Sequence, residues 1–218
     1  MHQKSYQLII FDLDGTLTDS KQGITKGIQY ALSKFNIEVQ DLDTLQPFIG
    51  PPFAESFQKY FHFNEEQAKQ AVVHFREYYT KQGMFENKVY PGIQQLLNQL
   101  KKNNKILAVA TLKPTSYAEQ ILQHFNLKQY FTAIIGSEFN NNRFSKTIII
   151  EHLLSKMKDI PKKNIVMIGD REQDIVGAKN NIIDIIAVRY GYAALQELEQ
   201  AEPTIIIDSV EELGKFLQ

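Results

Sequence analysis

The sequence predicts an α/β protein in which a parallel sheet core carries helices on both faces and an all-helical cap domain is inserted after the first strand. Two observations predict this fold class. Apolar runs of four to six residues, bounded by polar turns, alternate with segments whose apolar residues recur at helical spacing, as is typical of a parallel sheet with helical crossovers. The alternation stops between residues 18 and 88, where the spacing is helical throughout.

The predicted strands of the core are short and rich in β-branched residues. In chain order they are Tyr6–Phe11, Lys105–Ala110, Ala133–Ile135, Asn164–Ile168, Asp184–Val188 and Thr204–Ile207. The predicted helices of the core are Pro91–Lys102, Pro114–His124, Ser145–Met157, Arg171–Asn180 and Ser209–Leu217. Because parallel strands need long crossover connections, these helices fit between the strands of one Rossmann-like sheet.

The interrupting segment is predicted to form helices of its own. Ser20 is a candidate N-cap for the first, Pro51-Pro52 would open a second, and Asn64 would begin a third. We therefore expect residues 1–17 and 89–218 to form the Rossmann-like core, and residues 18–88 to form the helical cap. The asparagine run Asn140–Asn142 predicts a surface loop in the core.

Composition excludes several classes of protein. A chain of 218 residues has room for one large domain, or for a large and a small one. Its 43% hydrophobic content excludes a disordered chain, and a formal charge of −1 argues against a nucleic-acid partner. The absence of cysteine excludes disulfides, thiolate nucleophiles and cysteine-ligated zinc. No targeting segment or membrane-spanning stretch is visible, so we expect a cytoplasmic protein with no membrane partner.

Two carboxylates follow the first predicted strand directly. Asp12 and Asp14 are one residue apart, and Gly15 then permits a tight backbone turn. In an open parallel sheet, ligands bind beyond the carboxyl ends of the strands, so this pair is a candidate ligand site. The structural alternative is a polar turn held by aspartate side chains, and this motif alone does not separate the two interpretations.

Other strand ends carry polar groups as well. Thr111 follows the second core strand and precedes a helix start, where a hydroxyl suits a phosphoryl oxygen. Asp170 and Asp174 follow a later strand and share one face of a helix start. Lys146 lies just inside another helix. Taken one at a time, these residues are better explained as a helix cap, an acidic first turn and a solvated lysine.

The combination is more informative than its parts. Asp12, Asp14 and Asp170 would bring three carboxylates near one point, and like charges that close need a counter-charge. Mg²⁺ supplies it, because this ion takes one or two carboxylates together with a substrate phosphate. Thr111 and Lys146 would then contact the remaining phosphoryl oxygens. The chemistry that follows is phosphoryl transfer to a carboxylate nucleophile.

Four segments, in this order, resemble the motifs of the haloacid dehalogenase superfamily. They are Phe11-Asp12-Leu13-Asp14-Gly15-Thr16-Leu17, Ala110-Thr111, Lys146, and Ile168-Gly169-Asp170 through Asp174. The match covers nearly the whole chain, although Lys146 is followed by Thr147 rather than by the commoner proline. Pro91-Gly92, Thr111–Pro114 and Gly136-Ser137 are similar to the phosphoglycolate phosphatase-like branch, whose helical cap follows the first motif.

The resemblance implies a role for each residue. Asp12 would attack phosphorus and become an aspartyl-phosphate, while Asp14 would protonate the leaving oxygen and later deprotonate water. Thr111 and Lys146 would hold the phosphoryl group. Mg²⁺ would bind Asp12, the backbone carbonyl of Asp14, and Asp170.

Two further residues have less direct roles in the resemblance. Asp174 would orient the metal-bound waters or Lys146 from behind. Lys113 occupies the family's TxKP position, where an electrostatic role in the site and a surface role are both open.

The cap would close over the site and exclude water. Its turn at Phe48–Phe53 resembles the specificity loop of the family, and Phe48, Phe53 and Phe57 would line an apolar pocket for the leaving group or form the core of the cap. The five histidines have no metal-ligand spacing.

The sequence thus predicts a Mg²⁺-dependent phosphatase acting on a small phosphorylated metabolite, such as phosphoglycolate, a nucleotide or a sugar phosphate. The first alternative is a phosphomutase of the β-phosphoglucomutase type, which shares the core chemistry. Dehalogenase and phosphonate-cleaving branches are disfavoured because they lack an acid at the position of Asp14. The non-enzyme alternative is a phosphate-responsive regulatory protein. We expect a monomer, with a dimer as the alternative.

Overall fold

The chain folds into two compact units. A computed structural model describes residues 5–138 and 145–217. Unit 1 comprises Met1–Thr18 and Val89–Gln218, and unit 2 comprises Asp19–Lys88. The loop predicted at Asn140–Asn142 lies outside the described residues.

Unit 1 is built on a parallel sheet. Its strands, in chain order, are β1 (Leu8–Phe11), β4 (Ile106–Pro114), β5 (Ala133–Ser137), β6 (Ile165–Gly169), β7 (Asp184–Val188) and β8 (Ile205–Ile207). They lie side by side in the order β5-β4-β1-β6-β7-β8, and the pairings are parallel. Two-residue strands β2 (Thr18–Asp19) and β3 (Lys88–Val89) form a separate small sheet. The predicted α/β fold class is confirmed.

The centre of the sheet decides where a ligand site can form. All four residues of β1 are fully buried, as expected of a strand covered on both faces. Phe11, the last of them, pairs with Val109 of β4 and Ile168 of β6. The chain leaves β4 toward one edge of the sheet and β6 toward the other, so β1 lies at a topological switch point, where open sheets bind ligands.

Helices cover the sheet along the chain. They are α4 (Ile93–Lys102), α5 (Thr115–His124), α6 (Lys146–Ser155), α7 (Glu172–Asn180), α8 (Glu197–Ala201) and α9 (Val210–Phe216). The short α8 is not in the sequence-based prediction, and β4 continues four residues beyond its predicted end at Ala110. Within the described residues, no helix is both long enough and apolar enough to cross a bilayer.

Unit 2 is helical and has a core of its own. Its helices are α1 (Lys21–Ser33), α2 (Phe53–Phe61) and α3 (Glu65–Lys81). Phe48 and Phe57 are fully buried with ring centroids 5.1 Å apart, and Phe53 lies 4.2 Å from the ring of Phe75. Of the two alternatives for these phenylalanines, the structure therefore favours the internal core of the unit over an open pocket.

One helix end in unit 1 is strained by its side chain. After α7, the amide of Ile182 donates to Lys179 and that of Ile183 to Ala178, which is the Schellman arrangement. This places Ile182 in the left-handed region, with φ 57°, although its side chain is 77% exposed and gains little from packing. Asparagine takes the left-handed position after α1, α4 and α5, where it is better tolerated.

We expect Ile182→Gly to stabilise the protein by about 1 kcal/mol, because relief of left-handed strain exceeds the entropy that glycine adds to the unfolded chain. The free energy of unfolding in urea measures the effect. The control is Ile182→Val, which keeps the β-branch and should change stability by less than about 0.5 kcal/mol. A glycine variant less stable than the wild type contradicts the interpretation.

Candidate active site

The site begins where β1 ends. Asp12 is the residue that follows Phe11, and its amide donates to the carbonyl of Ile168 in β6. Asp12 Oδ1 accepts a hydrogen bond from the amide of Leu13 at 2.7 Å, and Oδ2 lies 3.0 Å from Lys146 Nζ. The Asp12 carboxylate is thus held in one orientation by a local amide and a distant ammonium group.

Lys146 contacts residues from three separate segments of unit 1. It is the first residue of α6, and its side chain is 2% exposed. Its ammonium group lies 2.6 Å from Asp174 Oδ1 and 3.0 Å from Asp12 Oδ2, and donates to the carbonyl of Ala110 at 3.0 Å. Burial alone would lower the pKa of Lys146, but the charges on Asp12 and Asp174 more than offset this and raise it. The lysine therefore stays cationic.

Asp170 follows β6 and is fully buried. Thr16 donates its hydroxyl to Asp170 Oδ1 at 3.2 Å, and the amide of Tyr192 donates to Oδ2 at 2.8 Å. Gly15 and Gly191 lie against the same side chain, and a methyl group added to either would overlap it. Two loops far apart in sequence thus enclose the Asp170 carboxylate.

Three buried carboxylates meet at this point. Asp12, Asp170 and Asp174 each present an oxygen within 4.8 Å of the others. Burial raises the pKa of Asp170 well above its usual range, and the charges on Asp174 and Asp12 raise it further. Burial also raises the pKa of Asp174, to about 6, against the lowering effect of Lys146. The protein therefore gathers more negative charge here than Lys146 alone balances.

Asp14 and Thr111 lie at the same end of the sheet, but Asp14 turns to a different partner. Its Oδ2 lies 2.7 Å from Lys113 Nζ, and both side chains are largely buried. Its Oδ1 is buried and accepts no hydrogen bond from any residue that the structure describes. Thr111 is buried, and its hydroxyl accepts from the amide of Lys113 at 3.3 Å.

The three carboxylates that lie together are therefore not the three predicted from the sequence. Asp174 lies with Asp12 and Asp170 in the structure, whereas the sequence predicts Asp14 as the third carboxylate. Sequence reasoning also missed Thr16, Gly191 and the Tyr192 amide as partners of Asp170. Thr16 had a signal, since it directly follows the Asp12–Gly15 segment, whereas residues 191 and 192 had none.

The donor set fits a hard divalent cation. Its oxygens belong to carboxylates, which are among the oxygen ligands that Mg²⁺ binds in proteins. Burial and the charges on Asp174 and Asp12 raise the pKa of Asp170, and its hydrogen-bond donors, Thr16 and Tyr192, bring no positive charge to offset them. A dication beside Asp170 and Asp12 would remove this excess of negative charge.

Comparison with known proteins identifies the family. The model of the haloacid dehalogenase-like hydrolases matches residues 9–188, which contain the carboxylates and the lysine described above. The chain belongs to this family. The resemblance predicted from the four motifs is confirmed, and with it the enzyme class, a phosphatase of the haloacid dehalogenase-like hydrolases.

This hydrolase is similar to proteins that bear different names. A 5′-nucleotidase of Pseudomonas aeruginosa is 42% identical over 199 residues, which cover 91% of this chain and 90% of the relative. The tyrosine-protein kinase PtkA of Mycobacterium tuberculosis is 35% identical over 216 residues, covering 98% and 73%. The crystal structure of a predicted phosphatase from Clostridium acetobutylicum superimposes with a TM-score of 0.92 at 46% identity, covering 97% of each chain.

Proposed function

We propose that this hydrolase is a Mg²⁺-dependent phosphatase that cleaves a small phosphomonoester through a phosphoaspartate on Asp12. The observation that carries the proposal is the buried cluster of Asp12, Asp170 and Asp174 around Lys146, at the carboxyl ends of adjacent strands. Such a cluster needs a divalent cation and can offer one carboxylate oxygen to an electrophile.

The nucleophile is Asp12. Its carboxylate attacks phosphorus, the bond from phosphorus to the ester oxygen breaks, and Asp14 gives that oxygen a proton. Asp14, now ionised, then removes a proton from the water that cleaves the phosphoaspartate. Thr111 and Lys146 hold the phosphoryl oxygens, since a hydroxyl and an ammonium group at this strand edge match a phosphoryl group.

The metal would be held by Asp12, the backbone carbonyl of Asp14, and Asp170. When bound, Mg²⁺ neutralises negative charge on the phosphoryl oxygens and helps to orient them. Asp174 positions Lys146, whose ammonium group lies 2.6 Å from its Oδ1. We further propose that unit 2 acts as a cap that excludes bulk water during transfer.

The substrate class is a small phosphorylated metabolite. Nucleoside 5′-monophosphates are the first compounds to test, because the 42% identical relative bears the name 5′-nucleotidase. Phosphoglycolate and sugar phosphates follow from the predicted branch of the family. Free phosphotyrosine belongs in the same panel because a relative is named a tyrosine kinase. A monomeric state and a cytoplasmic location stay predictions.

We expect the purified chain to release inorganic phosphate from p-nitrophenyl phosphate and from members of this panel when Mg²⁺ is present. Excess EDTA should lower the rate by about 100-fold or more, because the metal contributes several kcal/mol of charge stabilisation. Readdition of Mg²⁺ beyond the chelator should restore the rate, which controls for damage to the protein.

The same assay distinguishes the alternatives. A phosphomutase would convert a sugar phosphate to an isomer without accumulating phosphate, as product analysis by NMR would reveal. A regulatory protein would bind phosphate without turning over any ester. Full activity after complete metal removal would contradict the metal dependence.

A further inference from the structure

Lys113 and Asp14 form an ion pair inside unit 1. Lys113 Nζ lies 2.7 Å from Asp14 Oδ2, and the two side chains are 6% and 13% exposed. An exposed pair of this kind contributes little to stability or order. A shielded pair is different, because breaking it leaves an uncompensated charge away from water. The orientation of the Asp14 carboxylate therefore depends on the presence of the lysine.

The backbone that carries Lys113 is held in place independently. The pairing of β4 with β5 shifts register between Ala110 and Pro114, and irregularities of this kind redirect side chains at strand ends. The hydroxyl of Ser137 donates to the carbonyl of Leu112 at 2.8 Å. Gly136 permits the close approach of the Lys113 carbonyl, since a methyl group there would overlap it. The end of β5 thus fixes the peptide from which Lys113 extends.

The ion pair with Lys113 separates Asp14 from the other three carboxylates of the site. Asp12, Asp170 and Asp174 form one cluster, while Asp14 Oδ2 is occupied by Lys113. No described residue donates a hydrogen bond to the other oxygen, Asp14 Oδ1. We propose that Lys113 is a positioning residue that holds Oδ2 and so keeps the Asp14 carboxyl group out of the cation-binding cluster. The acid proton of the first step is then carried on Oδ1, which gives it to the ester oxygen and afterwards takes a proton from water. This inference rests on the proposed function.

A competing interpretation is that Lys113 contacts the substrate itself. The two differ in which kinetic constant they affect. A residue that acts through Asp14 lowers kcat and leaves KM almost unchanged, whereas a residue that binds the substrate raises KM. They also differ in the double variant. If Lys113 acts through Asp14, replacing Lys113 lowers kcat no further once Asp14 has been replaced.

The test uses the full chain with Mg²⁺ and an alkyl phosphomonoester from the panel above. We expect Lys113→Met to lower kcat by about 100-fold with KM changed by less than about threefold, since general acid–base catalysis contributes 10²–10⁴-fold. Lys113→Arg should recover part of the loss. The double variant Lys113→Met with Asp14→Asn should be no slower than Asp14→Asn alone. The control is Lys105→Met at the other end of β4, where the lysine contacts the carbonyl of Tyr6, and it should keep wild-type kinetics.

The leaving group provides a second readout. A p-nitrophenolate ion needs no proton to depart, so the pre-steady-state burst from p-nitrophenyl phosphate should fall less than about tenfold in Lys113→Met. A merely structural defect would reduce both substrates equally. Should Lys113→Met fail to fold by circular dichroism, Ser137→Ala, which removes the hydrogen bond to Leu112, should lower kcat severalfold with KM unchanged.

Three results would overturn the inference. They are a raised KM with normal kcat in Lys113→Met, an equal loss from Lys113→Met in the wild-type and Asp14→Asn backgrounds, and, if Ser137→Ala has to be used, a normal kcat in that variant. Failure of the proposed function is separate, since it would appear as a wild-type protein that hydrolyses no phosphomonoester.

Discussion

The Asp12→Asn variant should fold like the wild type and lose phosphatase turnover by about 10⁴-fold or more, the scale of loss seen when a nucleophile is removed. An amide cannot donate the electron pair that forms the phosphoaspartate. The shape of the side chain is kept, so the amide of Leu13 still has an acceptor at Oδ1. The cost to the fold is limited to the contact of Oδ2 with Lys146 Nζ, where an amide nitrogen would face an ammonium group.

Two measurements check the result for Asp12→Asn. Steady-state phosphate release gives the loss of turnover, and acid-quenched samples analysed by mass spectrometry show whether a phosphoryl group is attached to the peptide containing residue 12. The control is Asp208→Asn, which makes the same change at an exposed ion pair with Arg189 and should leave turnover normal. Substantial turnover by a folded Asp12→Asn protein would remove Asp12 from the role of nucleophile.

The Gly191→Ala variant should lose about 10–100-fold in Mg²⁺ affinity and in activity, as is common when the partners of a metal ligand are disturbed. A methyl group at residue 191 would overlap Cβ of Asp170. Rotation of the Asp170 side chain cannot relieve this overlap, because Cβ is fixed by the backbone. Either the loop or the end of β6 must move, and the hydrogen bond from the Tyr192 amide to Asp170 moves with it.

Titration of Mg²⁺ by calorimetry, without substrate, separates metal affinity from catalysis in Gly191→Ala. Gly214→Ala is the matched control, because the methyl group there meets its nearest described neighbour, Leu96, at an ordinary 3.7 Å. It lies in α9 and should keep normal Mg²⁺ affinity while gaining about 0.5–1 kcal/mol of stability. Wild-type Mg²⁺ affinity in Gly191→Ala would show that the loop does not position Asp170.

Much of the fold follows from local sequence, because burial on both faces imposes an apolar run that is visible in the sequence itself. The four residues Leu8–Phe11 form such a run, and β1 occupies it. The sequence predicts the end of β4 too early, at Ala110, because the apolar run stops there and polar Thr111 follows. The strand continues to Pro114, beside the hydrogen bond that Ser137 of β5 gives to Leu112. That bond joins residues 25 apart, so no local pattern records it.

The sequence by itself determined which chemical groups directly follow the apolar runs of the core, because hydrophobic patterning places Asp12, Thr111 and Asp170 there. Only the tertiary structure decided which of these groups contact one another. Asp174 approaches Asp12 because both meet Lys146, and Asp14 instead meets Lys113. Packing sets these distances through segments that lie far apart in the chain. Residue type and spacing can bring carboxylates to one edge of a sheet, but they carry no information about which neighbour each carboxylate will face.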